Sequence, residues 1–307
     1  MIEKFELFLE RHHLTRVEKA VSLKSLTTII CGGEADYLVE PDNYDELSNI
    51  FKFICENNIS YQILGNGSNV LVSDFGFPGI VISLKNLPYL VELHDGKLSV
   101  AAHIECVHLK KKCILEGLSG LEFLTGIPGT TGGIIAMNAG AFGHDVESAI
   151  DSIKVVTHEG KIVSMKAENI EFSYRKTKLP FEQYIITEGT FNVQKKNMLE
   201  VKELCDSYFS QRKSKNLWHN LTFGSTFKNG SDYYAGELIE NCGLKGYSIG
   251  DAQISKSHAN FIINNGNASS KDVYLLIQKM KDEVKNKFGK NLELEVKLWG
   301  DFSYAGK

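Results

Sequence analysis

Two glycine-rich stretches and a handful of polar side chains carry the chemistry open to this chain. The run Thr125–Gly143 (TGIPGTTGGIIAMNAGAFG) holds six glycines in nineteen residues, against 27 in all 307. Small or apolar residues fill its gaps: Thr130, Thr131, Ile134, Ile135, Ala136, Ala139 and Ala141. Glycine accepts positive φ and has no Cβ to hold a ligand away. Such a run fits a large, flat or phosphate-bearing ligand lying on main chain; close packing of two backbones fits it too. The second stretch is Gly65–Asn69 (GNGSN). Successive small residues in a turn point several N–H groups into one concavity, a nest for phosphate, and Ser68 and Asn69 add side-chain donors. A plain tight turn explains the same residues, because Asn-Gly is a strong turn pair. The pentapeptide is neither the dinucleotide fingerprint nor the Walker loop. Together, two separated glycine-rich turns suit a ligand with a pyrophosphate centre and a planar head.

Farther along, Arg175 in FSYR offers a planar five-donor fork for a carboxylate or phosphate, though a lone arginine is more often a surface ion-pair residue. Ser225 lies in GSTFKN, which is not a nucleophile elbow, and no ordered Ser/Asp/His set accompanies it, so a hydrolase triad is disfavoured. Glu293 and Glu295 alternate in LELEVKLW and share a face with Lys297; exposed strand charges explain that as well. His258 has no neighbouring ligand residues, so a metal site is not expected there. His12 and His13 sit among charged residues near a terminus, where a site is not expected.

Elements must position these groups. Residues 1–20 suggest an amphipathic helix with Ile2, Phe5, Phe8 and Leu9 on one face. Ala35–Glu40 reads as a strand closed by Pro41, and Asp42 as the N-cap of a helix with Leu47, Ile50, Phe51 and Ile54 inward. Tyr61–Leu64 and Val70–Val72 read as strands around GNGSN, followed by strands Ile80–Leu84 and Lys97–Ala101 and a helix Cys106–Leu115. From Ile153 to Val193 the pattern is mostly strand, with a turn at Glu159–Gly160 and a helix-like AENIEF stretch. Helical spacing returns at Leu199–Ser214 and, strongly, at Lys271–Phe288, where Gly289 marks the stop. Leu292–Trp299 reads as a final strand.

The bulk numbers bound the function. A chain of 307 residues suggests two domains. A net charge of −4 argues against a sequence-independent nucleic-acid binder. No run of eighteen apolar residues exists and the N-terminal residues lack a signal-peptide core, so no membrane association and a cytoplasmic location are expected. Six scattered cysteines with no CxxC pair make disulfides or a zinc cluster unexpected.

In their joint order these stretches resemble the UDP-N-acetylenolpyruvoylglucosamine reductase family. The likeness runs from about Thr27 to Gly300. It rests on Thr27–Thr28 with Gly32–Gly33, GNGSNVLVSD, GLSGLEFLTGIPGTTGG, MNAGAFG, FSYR, GSTFKN, the Ser257–Phe261 stretch and EVKLWG. The chain length, with no insertion after Arg175, is similar to the shorter subtype. The resemblance implies an α+β fold: an N-terminal segment (1–20), a two-lobed FAD-binding domain of the vanillyl-alcohol-oxidase type (21–197) and a C-terminal α+β substrate domain (198–307). It implies FAD between the lobes, with Gly65, Asn66, Gly67, Ser68, Asn69, Gly126, Ile127, Gly129, Thr130, Gly132, Gly133 and Asn138 as its contacts. NADPH is the implied hydride donor, and UDP-N-acetylglucosamine enolpyruvate the implied substrate, reduced to UDP-N-acetylmuramate for peptidoglycan synthesis by a monomer. Arg175 and Glu295 match the residues that stabilise an enolate, with Glu295 expected to be protonated, and Ser225 matches the proton donor to C2, supported by Lys228 or another cation. Tyr174, Lys228, Asn229, His258 and Lys297 fall at substrate-side positions. The sequence departs from the family pattern at Gly230, Thr177, Asn216–Leu217 and Lys297, which puts substrate affinity in doubt more than reaction type. Alternatives are another flavin oxidoreductase of the same fold, or a non-catalytic flavin- or nucleotide-binding protein.

Overall fold

A computed structural model describes residues 2–12, 16–213 and 220–304. His13, Ser214, Asn216 and Leu217 lie outside the described residues. The fold is α+β, and by contact the chain divides into two compact units. The first comprises residues 1–19, 37–65 and 79–211, and the second 20–36, 66–78 and 212–307. The segments 20–36 and 66–78 thus pack with the C-terminal residues, where the sequence reading grouped them with the FAD-binding part.

In the first unit a five-stranded antiparallel sheet runs in the order Ile162–Lys166, Ile150–Thr157, Tyr184–Asn192, Lys97–Ala101, Val91–His94. Its central strands are rich in β-branched and apolar residues, and Leu98, Val100, Ile153, Val155, Val156 and Phe191 are buried. The helix Tyr44–Glu56 buries Leu47, Ile50, Phe51 and Ile54, the spacing of one helical face. Its N-cap is Asn43, whose Oδ1 accepts from the Glu46 N–H at 2.8 Å; Asp42 instead pairs with Arg16 at 2.7 Å. The N-terminal helix ends at His12 and Val17–Ser22 is a strand. Phe5 and Phe8 do face inward, with Phe8 stacked on Phe53 at 4.3 Å between centroids. AENIEF forms only a 3-10 turn, Ala167–Asn169.

In the second unit the strands Ser248–Ile249, Ala252–Ile254 and Ile262–Asn264 form an antiparallel sheet, and Val70–Val72 pairs in parallel with Lys297–Trp299. The helix Ser270–Phe288 buries Val273, Leu276, Ile277, Met280 and Val284. A capping box of Ser269 and Asp272 starts it, and Gly289 at φ 67° ends it. LELEVKLW does not stay one strand. Leu294 bridges Phe227, and only from Lys297 does the chain pair with Val70–Val72, so two successive partners share it.

Asn264 ties this unit together. It is 5% exposed. Its Nδ2 donates to the carbonyls of Ile29 (2.9 Å) and Ile30 (3.2 Å), and its Oδ1 accepts from the Gly266 (2.8 Å) and Ala268 (2.9 Å) N–H groups. Asn264→Leu leaves four backbone groups short of a partner. We expect a loss of about 3 kcal/mol, read as a lowered denaturant midpoint; an unchanged midpoint contradicts the assignment.

Candidate active site

Within the first unit Gly65, the first residue of one glycine stretch, packs against Thr130 of the other. A Cβ on Gly65 would lie 2.6 Å from Thr130 Oγ1. Thr130 caps the short helix Thr131–Ala136, accepting from the Gly133 N–H at 3.4 Å. Thr131 Oγ1 donates to the Ile104 carbonyl at 3.0 Å, and the Gly132 N–H to Ala102 at 2.8 Å. Gly126 adopts φ 77°, the Ile127 N–H donates to Leu124 at 3.0 Å, and the Gly129 carbonyl accepts from Cys106 at 2.9 Å. Bare backbone has two uses here. Gly132 is glycine because the protein is close: a Cβ would sit 3.0 Å from the Ala102 Cβ. Gly133 is exposed, and a Cβ there meets only Thr130 Oγ1, at 3.4 Å.

Asn138 is 1% exposed, and its side chain is committed to protein. Its Nδ2 donates to the Ser173 carbonyl at 3.1 Å and its Oδ1 accepts from Glu147 at 2.9 Å. It thereby anchors a hairpin of Phe172–Ser173 and Lys176–Thr177 whose turn is Tyr174–Arg175. Thr177 Oγ1 donates to the Ile135 carbonyl. Arg175 takes φ 57°, Nη2 donates to the Gly140 carbonyl at 2.8 Å, and the guanidinium carbon lies 5.0 Å from the centre of the half-exposed Tyr174 ring.

In the second unit Gly67 has φ 60°, and a Cβ there would lie 2.1 Å from the Leu26 carbonyl oxygen. Its own carbonyl accepts from the Thr28 N–H at 3.2 Å. Glycine at this position is therefore demanded by protein packing. The N–H groups of Asn66, Gly67, Ser68 and Asn69 meet no acceptor in their own unit among the described residues, and Gly67 is buried. Successive backbone N–H groups in such a turn form a concavity that suits an anion such as a pyrophosphate. Asn69 Nδ2 donates to the Glu295 carbonyl at 3.1 Å, and its carbonyl accepts from Lys297 at 3.0 Å.

The remaining polar candidates gather in the same unit. The segment carrying Ser225 lies between two neighbours, with Ser225 bridging Phe261 and Phe227 bridging Leu294. The Glu295 N–H donates to Thr226 at 3.0 Å, and Lys228 to the Glu293 carbonyl at 2.9 Å. Lys228 Nζ pairs with Glu293 at 2.6 Å, so its ammonium already holds a carboxylate. Asn229 Oδ1 accepts from Ala235 at 3.0 Å, at the start of helix Ala235–Asn241. His258 Nδ1 accepts from the Asn260 N–H at 3.3 Å, and its ring stands edge-on to Phe261 at 5.0 Å. Gly230 packs against the Tyr233 ring, which a Cβ would approach to 2.2 Å. Ser225, Lys228, Asn229, His258, Glu295 and Lys297 thus fall in the same unit as Asn66–Asn69, with Asn69 bonded to Glu295 and Lys297, while Gly65, Thr130, Gly133, Asn138, Tyr174 and Arg175 belong to the first unit. No motif gives Asn260 or Asn264 a role, although both flank the apolar run Phe261–Ile263, where buried carboxamides must find backbone partners. All six cysteines are free, and burial pushes the Cys31 and Cys113 thiols up to about 12, so neither is a thiolate nucleophile at neutral pH. Among the described residues no three His, Cys, Asp or Glu side chains cluster to hold a metal.

The fold and these residues define an FAD-dependent oxidoreductase: residues 35–166 match the FAD binding domain family. Residues 216–299 match the family described as UDP-N-acetylenolpyruvoylglucosamine reductase, C-terminal domain. The chain belongs to the UDP-N-acetylenolpyruvoylglucosamine reductase family. It is 39% identical over 270 residues to the reductase of that name from Clostridioides difficile, covering 88% of this chain and 89% of that one. It is 37% identical to that of Clostridium novyi, covering 98% and 97%. The crystal structure of UDP-N-acetylenolpyruvylglucosamine reductase from Thermus caldophilus superposes with a TM-score of 0.80 at 34% identity, covering 93% of this chain and 99% of that one.

The two uses of glycine separate by mutation. Gly133→Ala should keep or raise the melting temperature, by up to about 1 kcal/mol in helix propensity, yet lower the flavin content of the purified protein. Gly67→Val should lower flavin and melting temperature together. Full flavin in Gly133→Ala removes that residue from the cofactor surface.

Proposed function

We propose that this chain reduces UDP-N-acetylglucosamine enolpyruvate to UDP-N-acetylmuramate with NADPH, supplying peptidoglycan synthesis. The observation that carries the reading is the direct strand contact between the Ser225 and Glu295 segments, with the Glu295 N–H on the Thr226 carbonyl at 3.0 Å. Bound FAD supplies the two-electron relay from NADPH to C3 of the enolpyruvyl group. The chain's own residues do the rest. The N–H groups of Asn66–Asn69 hold pyrophosphate, and Gly126, Ile127, Gly129, Thr130 and Gly133 give the cofactor close main chain. Asn138 acts indirectly, through the hairpin it anchors, which carries Tyr174 and Arg175.

Hydride at C3 leaves negative charge at C2, delocalised into the carboxylate as an enolate. Such charge calls for fixed cations and donors in a site shielded from water. Arg175 supplies a guanidinium whose orientation is set by Gly140, and Glu295 stabilises the same enolate. The Ser225 hydroxyl gives its proton to C2, completing CH–CH3 from C=CH2, and takes a proton back from solvent. Lys228 supports the developing alkoxide. Tyr174, Asn229, His258 and Lys297 contact substrate; at Lys297 the contact is a point charge rather than a fork. One chain carries every residue the reaction uses, so a 34.3 kDa monomer suffices. Among the described residues no helix is long and apolar enough to cross a membrane. NADPH and the nucleotide sugar are charged and do not cross one either, so we place the enzyme with them in the cytoplasm.

Anaerobic stopped-flow absorbance separates the two halves of the reaction. In Ser225→Ala, reduction of the flavin by NADPH should persist while reoxidation by the enolpyruvyl substrate slows by roughly a thousandfold, the scale of losing a general acid. Reoxidation at the native rate removes Ser225 from the role. Glu295→Gln should likewise lose only the second half; equal loss of both halves would reassign Glu295 to cofactor binding.

A further inference from the structure

Asn260 lies behind the Ser225 segment and is 4% exposed. Its carboxamide grips one residue of that segment at both backbone groups: Oδ1 accepts from the Phe227 N–H at 3.0 Å, and Nδ2 donates to the Phe227 carbonyl at 2.8 Å. Its own carbonyl accepts from the Thr226 N–H at 2.8 Å. The side chain thus continues the pairing that the Ser225–Phe261 bridge begins. A strand slipped by one residue turns every side chain to the opposite face, and it would turn away the N–H and C=O that this carboxamide grips, so the grip opposes that slip. Asn260 also donates its N–H to His258 Nδ1 at 3.3 Å.

We infer that Asn260 is a positioning residue for the second half of the reaction, its carboxamide fixing the register of the segment that presents Ser225. This rests on the reading of Ser225 as proton donor. Asn260 is buried behind the strand and acts through its neighbours.

Asn260→Asp is the decisive variant because it is nearly isosteric. As a carboxylate it cannot donate to the Phe227 carbonyl; once protonated it can, and both contacts return. Burial raises the pKa of such a carboxyl. The titratable groups nearby, His258 on the same loop, Lys228 beside Phe227, and Glu293 and Glu295 on the facing segment, are shared with the native protein, so each rate is taken as a ratio to it. Flavin content and NADPH-driven reduction should stay native, while reoxidation by the enolpyruvyl nucleotide falls roughly tenfold or more at pH 8, in kcat rather than KM. The ratio should climb back as the pH is lowered to about 5.5, through the raised pKa of the buried carboxyl. If the aspartate variant does not fold, Asn260→Ser removes the two-point grip without adding charge and should show the same split without the recovery. Equal loss in both halves, or a native second half beside an impaired Ser225→Ala, overturns the inference alone. A native second half in Ser225→Ala overturns the proton-donor reading and the inference with it.

Discussion

The second unit hangs on the close approach of two backbones at Gly67. With φ 60° and the Leu26 carbonyl oxygen 2.1 Å from where a Cβ would be, only glycine fits. That approach lets Thr28 serve two segments, its N–H on the Gly67 carbonyl at 3.2 Å and its Oγ1 on the Thr222 carbonyl at 2.7 Å. From Gly67 the chain leads two residues on to Asn69, which holds Glu295 and Lys297. From Thr222 it leads to Ser225. The two paths close where Glu295 bonds Thr226. The turn Gly67–Asn69 and the segments that bear Glu295 and Ser225 are therefore linked in one hydrogen-bonded ring.

Magnitudes decide which contacts hold that ring. The Lys228–Glu293 pair is short, but the Glu293 side chain is 73% exposed, and exposed pairs contribute about 0–1 kcal/mol. Buried backbone bonds matter more through what their loss costs, about 1–3 kcal/mol for each group left without a partner. Asn260 and Asn264 each satisfy several such groups, so two uncharged side chains outweigh the visible ion pair. Lys228 reads best as a residue whose stem and backbone are structural and whose ammonium is held ready by a solvent-facing carboxylate.

Much of this was legible in the sequence, for physical reasons. The helix over 270–288 shows an unbroken apolar stripe ending in glycine, and Cys106–Leu115 and Lys97–Ala101 match their expected bounds. What misled was competition between local signals and partners far away. LELEVKLW alternates like one strand, yet its halves pair with different segments. Asp42 and Asn43 are both good caps, and Arg16 takes the aspartate. The Tyr174–Arg175 turn contains no glycine or asparagine, the usual mark of a tight hairpin, and so was invisible. The glycines were conspicuous, but their meaning was mixed: Gly67 and Gly132 are bare because protein is near, and Gly133 is bare where protein is not.

The turn at Arg175 shows why its sequence was silent. A non-glycine residue at φ 57° is held against its preference, at a cost of order 1–3 kcal/mol, so its surroundings must insist on it. They do so from three sides. Asn138 bonds the Ser173 carbonyl just before the turn, Thr177 bonds Ile135 just after it, and Gly140 takes the guanidinium itself. All three partners come from the stretch Ile135–Gly140, the tail of the glycine-rich run. That run therefore does more than leave room for a ligand. By binding the hairpin on both flanks and the arginine at its tip, it converts an unfavourable backbone angle into a fixed direction for a cation. A flexible arginine would satisfy its charge anywhere; one held this way can meet charge that develops at a single carbon.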